Sequence, residues 1–267
     1  MTADITIAGL GTVNIDHVTR QVEAALASSA QVLFLDEGIA TRAFLEARCE
    51  QVVDLSTHWV SGRSRIAAHH AMAAHVIDAA LTERPVTFAV SGHPTHLVPA
   101  TFLVRDLGAL LGLRVEVLAG VSALDQICAE CLIDPASQGL QSFEATDVLL
   151  RRRPIASDVP LLLWQVGRVE SHLHSASRSV PSRFERLTAY LLRFYPQTHR
   201  VVAVEASSHP LLEPVHLQLP LASLPAHAAR LTPRTTLYVP PVGTRPVADV
   251  QLYADLTDPL HLAAITE

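Results

Sequence analysis

The sequence predicts an α/β fold built from two domains, and three observations support this. Short apolar runs alternate with segments of helical spacing through the first half of the 267-residue chain. These runs do not alternate between apolar and polar residues, which is typical of parallel strands covered by helices on both faces. Past Gly120 the pattern changes, and short strand patterns occur among many prolines. With 49% hydrophobic residues, a chain of this length can bury a sizeable hydrophobic core.

The first half is predicted to form five strands with helices between them. The apolar run Ile5–Gly9 ends in Gly9-Leu10-Gly11, and helical spacing follows over residues 15–26. This unit therefore has the order strand, tight turn, helix. A long helix is predicted for residues 65–81. The other strands of this half are predicted at residues 32–35, 52–55, Val86–Val90 and Val115–Leu118.

The second half is predicted to contain a different kind of sheet. Helical spacing covers residues 122–132, 145–151 and 182–194, and apolar extended runs cover residues 141–143, 161–166 and 201–205. Residues 215–219 and Thr236–Val239 lie among prolines, which favours short antiparallel or edge strands. We therefore predict an N-terminal α/β domain over residues 1–119 and a C-terminal α/β domain over residues 120–267.

Composition excludes several classes of function. The net charge is −6 and the pI is near 6.1, so the chain lacks the basic surface that grips nucleic acid. All 20 basic residues are arginine, which excludes Schiff-base chemistry and a P-loop lysine. No apolar run approaches the ~20 residues of a membrane span, and three cysteines are typical of a reducing compartment. We predict a cytoplasmic protein with neither a nucleic-acid nor a membrane partner.

Three glycine-containing loops are candidates for binding a ligand. They are GLGT at residues 9–12, SGHP at 91–94 and AGVSA at 119–123. Ligands of open α/β sheets bind beyond the carboxyl ends of the strands, where such loops lie. The first loop lacks the third glycine of a dinucleotide fingerprint, so NAD binding is not favoured. Each glycine is equally consistent with an ordinary turn, and His93 with a turn histidine near the surface.

Five segments resemble, in order and spacing, the tetrapyrrole methylase superfamily of S-adenosylmethionine-dependent methyltransferases. Within it, the chain is most similar to the borosin-type enzymes that methylate peptide backbone amides. The segments are SGHPTHLVP at 91–99, LAGVSALDQICAECLIDP at 118–135, GLQSFEATDVLLRRRP at 139–154, LLLWQVG at 161–167 and TTLYVPP at 235–241. The resemblance implies two α/β domains with the cofactor in the cleft between them, and a homodimer.

The resemblance also implies which residues bind S-adenosylmethionine. They come from the three glycine-containing loops and from two segments of the second half. The residues are Gly9, Gly11, Gly92, His93, Pro94, Leu97, Val98, Val121, Ser122, Ala123, Gln165, Val166, Thr236 and Leu237.

The segment DLSTHWVSGRSRIAAHHAMAAHV, residues 54–76, resembles the catalytic segment of borosin-type enzymes. It implies three catalytic residues: Trp59 at an aromatic position, Arg65 as charge stabiliser and His69 as a possible base. Arg65 and His69 stand at i and i+4 of one predicted helix, so they share a face. The family pattern has tyrosines where this chain has Trp59, His69 and Ser91. An indole cannot accept a proton, whereas a neutral imidazole can.

Simpler interpretations of these histidines remain open. His69, His70 and His75 are consistent with polar positions on a solvated helix face. Together with His172 and His174 they also offer imidazoles for a metal, but no further ligand has a secure spacing, so no metal is predicted. Cys128 and Cys131 have C-x-x-C spacing within a predicted helix, which favours packing over redox or metal chemistry.

The predicted function is methyl transfer from S-adenosylmethionine to a separately encoded peptide, as backbone amide N-methylation in a ribosomal peptide natural product pathway. The sequence ends soon after Pro241, so we expect the precursor peptide to arrive in trans. One alternative is methylation of a small molecule such as a tetrapyrrole. The other is a non-catalytic partner protein that only binds the cofactor.

Overall fold

The computed structural model describes residues 3–36, 38, 40–175 and 177–267, with only the backbone of Asn14. Its first sheet is fully parallel, as predicted. Its strands are β1 (Ile5–Gly9), β2 (Gln31–Leu35), β3 (Val52–Asp54), β4 (Val86–Val90) and β5 (Val115–Leu118). They lie in the order β3-β2-β4-β1-β5, so the chain crosses over between them. The carboxyl ends of all five strands therefore meet at one edge.

Helices cover both faces of this sheet. They are α1 (Arg20–Ala27), α2 (Thr41–Glu46), α3 (Arg65–Thr82) and α4 (Pro99–Leu110), with 3-10 turns at Asn14–His17 and Leu55–His58. Ile7 packs with residues of α3 and α4, whereas the next residue, Ala8, packs with Val22 of α1. Successive strand residues thus face different helical layers, which explains why the strands are apolar throughout.

The second sheet is mixed. Its strands are β6 (Gln141–Glu144), β7 (Leu161–Trp164), β8 (Arg200–Glu205), β9 (Val215–Pro220) and β10 (Thr236–Val239), in the order β6-β7-β10-β8-β9. Strand β6 is parallel to β7, and the other pairs are antiparallel. The proline-rich final strands are thus antiparallel, and β9 is an edge strand, as predicted. Its last residue, Pro220, lacks the N–H that a further strand would need.

Helix α5 (Ala123–Cys131) connects the two sheets, because β5 ends at Leu118 and β6 begins at Gln141. The domain boundary predicted near residue 120 falls within this connection. The later helices are α6 (Ala145–Arg151), α7 (Ser182–Leu191), α8 (Val250–Asp255) and α9 (Pro259–Ile265), with 3-10 segments at Val166–Arg168 and Leu221–Arg230. Of the helices in the described ranges, none has the length and apolar character needed to cross a bilayer.

The helix predicted over residues 182–194 ends at Leu191. Two further predicted bounds are wrong for reasons visible in the local structure. The helix predicted over residues 15–26 begins only at Arg20, because the side chain of Thr19 caps it by accepting a hydrogen bond from the Val22 amide. The strand predicted over residues 161–166 ends at Trp164, because Gln165 has a left-handed backbone with φ 55°.

Candidate active site

A cavity of about 820 Å³ lies at the carboxyl edge of the parallel sheet and extends to the second sheet. Its volume is within the roughly 300–1,000 Å³ of small-molecule sites. Loops after β1, β2 and β4 line one side, and residues of α5 and of the segments after β7 and β8 line the other. The predicted ligand position beyond the strand ends therefore coincides with a real cavity.

Four glycines allow the loops under this cavity to approach each other closely. A Cβ atom added to Gly9 would lie 2.5 Å from the Gly92 carbonyl oxygen and 2.8 Å from the backbone of Gly120. Gly11 and Gly92 have φ values of 78° and 71° and hydrogen bond to each other, with the Gly92 amide 2.7 Å from the Gly11 oxygen. A side chain at Gly9 or Gly120 would overlap the facing backbone, and the left-handed backbones of Gly11 and Gly92 favour glycine, so these residues allow the close approach of the loops.

The structure brings most, but not all, of the implied cofactor residues to the cavity wall. The lining includes Gly11, Gly92, His93, Leu97, Val98, Ala123, Gln165 and Thr236. Gly9, Val166 and Leu237 are buried and do not line the cavity. Val121 and Pro94 also lie outside the lining. The Pro94 carbonyl accepts a hydrogen bond from the Thr101 hydroxyl. Ser122 caps α5, its hydroxyl accepting from the Asp125 amide, while the Asp125 carboxylate accepts from the Ser122 amide.

Two non-glycine residues on the cavity wall have left-handed backbones. They are Leu97, with φ 61°, and Gln165, with φ 55°. Such a conformation costs on the order of 1–3 kcal/mol and persists only where the surrounding structure enforces it. At Gln165 it turns the chain out of β7, so that the next residues form a 3-10 segment along the cavity.

Arg65 links the two halves of the molecule beside the cavity. It begins α3, and its Nη1 and Nη2 atoms donate to Gln165 Oε1 at 2.7 Å and to the Ser171 carbonyl at 2.9 Å. Burial lowers the pKa of Arg65, and the charge of Glu144 opposes this effect. Because a guanidinium only donates, it must face the amide oxygen of Gln165, which leaves the amide NH₂ of that residue for other partners.

Trp59 stands between two histidines. Its indole stacks on the His174 ring, with centroids 5.3 Å apart and planes 15° from parallel, and meets the His69 ring edge-on at 5.1 Å. Trp59 and His174 line the cavity, whereas Arg65 and His69 do not. His69 is only 8% exposed on α3. Burial, together with the charges of Arg65 and His70, lowers the pKa of His69 to about 4.

Arg65 and His69 both lie on α3, as predicted, but their side chains have different neighbours. Arg65 reaches into the second half, and His69 lies behind Trp59. Whether these residues and Trp59 are catalytic stays a prediction. Ser91, at a position where the resemblance expects tyrosine, lines the cavity.

Sequence reasoning missed the place of His174 in this site. Its backbone N–H donates to the Arg63 carbonyl and its own carbonyl accepts from the Gly62 amide, both at 2.9 Å. The neighbouring residue Leu173 pairs with Ser64 in an isolated antiparallel bridge. The only signal in the sequence was the H-L-H pattern at residues 172–174, which suggested metal ligands. Within the described ranges, no group of three or more histidine, cysteine, aspartate or glutamate side chains is placed to hold a metal.

Several solved structures named as methyltransferases share this fold. The methyltransferase CobJ superposes with a TM-score of 0.67 at 20% identity, over 92% of this chain and 98% of its own. Uroporphyrin-III C-methyltransferase from Thermus thermophilus, solved with S-adenosylhomocysteine, gives a TM-score of 0.60 at 16% identity, over 88% and 96%. At these identities the likeness establishes the fold, with two α/β layers and a cleft between them.

The family follows from the sequence. A family model described as Tetrapyrrole (Corrin/Porphyrin) Methylases matches residues 4–215, and the chain belongs to this family. Its members use S-adenosylmethionine, so the chain is a methyltransferase of the class that takes its methyl group from this donor. The family resemblance seen in the five sequence segments is confirmed.

The curated relatives are borosin-type proteins. The methyltransferase and precursor of the cyclic peptide omphalotin A from Omphalotus olearius is 30% identical over 239 residues, which is 89% of this chain and 57% of the relative. A type I borosin precursor with methyltransferase from Coprinopsis marcescibilis is 28% identical over 263 residues, covering 97% and 67%. The chain thus spans somewhat over half the length of the first of these relatives.

Proposed function

We propose that this protein methylates backbone amide nitrogens of a ribosomally made peptide, in the cytoplasm and as a homodimer, with S-adenosylmethionine as donor. The named relatives combine a methyltransferase with a cyclic peptide precursor, which supports a peptide as the acceptor. The scarcity of cysteine supports the compartment. The homodimer is supported by the family resemblance alone, and light scattering on the purified protein tests it.

The residues around the cavity fit the donor. Backbone groups of the loop at Gly92 and the first turn of α5 at Ala123 lie at its surface, where they can read an amino acid moiety. Leu97, Val98 and Ile127 supply apolar wall for an adenine ring. When bound, S-adenosylmethionine supplies an electrophilic methyl group on a sulfonium.

A peptide amide is a poor nucleophile, so the protein must remove a proton and stabilise charge on the amide oxygen. Preorganised hydrogen-bond donors do this best where water is excluded. Arg65 holds the oxygen of Gln165, so the Gln165 amide NH₂, at the cavity wall, is a donor oriented for such an oxygen. Arg65 then acts on the acceptor through Gln165.

The charge of the cavity wall favours a neutral acceptor, and this observation carries the proposal. Among the described lining residues, the arginines are Arg168 and Arg234, and Asp36 contributes an opposing carboxylate. Arg234 donates to Ser208 and to the Ala206 carbonyl. A tetrapyrrole with several carboxylates would need more cations than this wall offers. The stacked Trp59–His174 pair instead gives a flat aromatic surface suited to a peptide backbone.

Mass spectrometry tests the proposal. The purified protein is incubated with S-adenosylmethionine and peptides encoded beside its gene, each supplied as a separate chain, and a parallel reaction contains uroporphyrinogen. We expect mass increments of one CH₂ unit on a peptide, with fragment ions placing them on backbone nitrogens. Reactions with S-adenosylhomocysteine in place of the donor are the control. A protein that binds the donor but modifies only the tetrapyrrole, or nothing, would refute the proposed acceptor.

A further inference from the structure

We propose that His174 is the residue that takes the proton from the acceptor amide, and that it contacts the acceptor directly. This inference rests on the proposed function, which it makes more specific. The sequence pointed to His69 for this role. Its place on the cavity wall favours His174 over His69. Its backbone is also fixed, and its Nδ1 atom, like that of His69, has no hydrogen-bond partner among the described residues.

The His174 side chain lies where an acceptor must bind. It lines the cavity together with Trp59 and Gln165, and it is half-buried. Its ring stacks almost parallel on the Trp59 indole, at 5.3 Å between centroids. A base acts only when it is within hydrogen-bond reach of the proton, so access to the cavity is the first requirement.

The backbone of His174 is held by the opposite half of the molecule. Its N–H and C=O groups hydrogen bond to Arg63 and Gly62, both at 2.9 Å, and the Arg65 amide donates to the His172 carbonyl at 3.0 Å. This short ladder fixes the segment against the start of α3. A catalytic group needs such support, because small displacements reduce the rate of proton transfer strongly.

The His174 ring has unused hydrogen-bonding capacity. Its Nδ1 atom is buried and has no hydrogen-bond partner among the described residues. An unpaired buried polar atom costs about 1–3 kcal/mol and calls for a ligand or a functional explanation. A neutral imidazole always has one nitrogen that can accept a proton.

His69 and Trp59 meet these requirements less well. His69 is 8% exposed, does not line the cavity and presents its ring to the edge of Trp59. The pKa of His69 is lowered to about 4, mainly by burial, so it binds a proton weakly at neutral pH. The Trp59 indole has an N–H donor and no acceptor. We therefore assign Trp59 and His69 to positioning the His174 ring.

The proton step is balanced within the groups named. As the amide nitrogen is methylated, its N–H bond breaks and that electron pair stays on nitrogen. The new N–CH₃ bond would form as the S–CH₃ bond of the donor breaks, with the electron pair of that bond passing to sulfur so that S-adenosylhomocysteine leaves. The proton joins the lone pair of the His174 imidazole, which becomes an imidazolium ion. The imidazolium then releases the proton to water in the cavity, which restores the neutral ring for the next turnover.

Substitution with chemical rescue tests this role. We expect His174→Ala to lower kcat for peptide methylation by roughly 10²–10⁴-fold, the usual contribution of general base catalysis. Added imidazole should restore part of the rate, whereas His174→Gln, which fills the space, should not be rescued. The matched control is His172→Ala, which removes an exposed imidazole from the same segment and should leave kcat within a few-fold.

Readouts other than turnover separate catalysis from folding. S-adenosylhomocysteine affinity measured by calorimetry should change little in His174→Ala, and the histidine ring resonances of ¹⁵N-labelled protein should show His174 shifting when peptide is added. A His174→Ala protein that keeps wild-type kcat, or a defect that imidazole does not relieve while His69→Gln abolishes turnover, would overturn the assignment. Wild-type protein that methylates no peptide would instead remove the proposed function, and this inference with it.

Discussion

Gly120 illustrates how a missing side chain sets the geometry of the site. A Cβ atom at this position would lie 2.5 Å from the Gly92 carbonyl oxygen and 2.8 Å from the Gly9 backbone. Gly120→Ala must therefore separate the loops, and we expect a loss of about 1–3 kcal/mol in the free energy of unfolding together with weaker S-adenosylhomocysteine binding. Urea unfolding and calorimetry measure the two effects.

The control for this prediction is Gly243→Ala. No heavy atom lies within 4 Å of a Cβ built at Gly243, and its φ is not in the left-handed region. This variant should keep wild-type stability and affinity. Equal effects of the two substitutions would contradict the packing explanation.

His69 makes a prediction about stability and pH. Its pKa is about 4 in the folded protein and about 6.5 in the unfolded chain. The unfolded state therefore binds the proton more tightly. The contribution to stability is present above pH 6.5 and falls as the pH drops toward 4. Between pH 7.5 and pH 5 we expect wild-type protein to lose about 2 kcal/mol from this residue.

Guanidinium unfolding at the two pH values checks this prediction through matched variants. His69→Gln should show a smaller loss between pH 7.5 and pH 5 than wild type, because the titrating group is gone. His70→Gln removes an exposed histidine on the same helix and should keep most of the wild-type pH dependence, because the charge of His70 is the smallest of the three causes that lower the pKa of His69. An unchanged dependence in His69→Gln would show that His69 is not buried in its neutral form.

At the residue scale, the sequence indicated which loops matter but not which atoms meet. The three glycine-containing loops were recognisable from their composition and their place after apolar strands. Arg65 and Gln165, however, are 100 positions apart, and no local pattern predicts their hydrogen bond. The stacking of Trp59 on His174 is equally long-range. Sequence spacing therefore correctly placed His69 on α3, but it could not show that Trp59 lies between His69 and the cavity.

Helix α5 connects the two sheets and contributes to the cavity, and its start depends on a capping box. The Ser122 hydroxyl accepts from the Asp125 amide at 3.2 Å, and the Asp125 carboxylate accepts from the Ser122 amide at 2.6 Å. Ser122→Ala should cost about 1 kcal/mol of unfolding free energy. Ser122→Thr keeps the hydroxyl and should restore most of it. Urea unfolding compares the three proteins.

The same variants separate two roles of Ser122. The resemblance implies that Ser122 binds the cofactor, whereas its observed hydrogen bonds are those of a helix cap. If capping is its main role, S-adenosylhomocysteine affinity in Ser122→Ala should stay within a few-fold of wild type. A large loss of affinity with unchanged stability would support direct contact with the cofactor instead.

At the element scale, sequence reasoning succeeded where a segment faces the core with a clear period. The strands of the first sheet and α3 were predicted within one or two residues. Helix α4 was not assigned, because a short apolar run beginning at Pro99 does not distinguish helix from strand. Helices α8 and α9 were not assigned either, and they bury no residue against the core. Pro233 and Arg234, which line the cavity shortly before β10, carry no periodic signal either.

At the scale of the whole molecule, the cavity depends on how the two sheets are held together. Arg65, at the start of α3, donates to Gln165 and Ser171 of the second half, and the segment around Leu173 pairs with Ser64. The overall arrangement could be predicted from the family resemblance. The contacts that close it could not, because they join loops that are distant in sequence and have no secondary-structure pattern.

A ligand bound in this cavity should stabilise the whole fold, because it contacts both halves at once. S-adenosylhomocysteine at 100 times its Kd would add about 2.7 kcal/mol to the free energy of unfolding. For a domain of this size that corresponds to a rise in Tm of roughly 5–10 °C. Differential scanning calorimetry measures the shift. Ala123→Phe places a ring in the cavity lining and should abolish it, whereas Ala67→Phe, on the exposed face of α3, should preserve it. A shift that survives Ala123→Phe would place the donor somewhere other than between the two sheets.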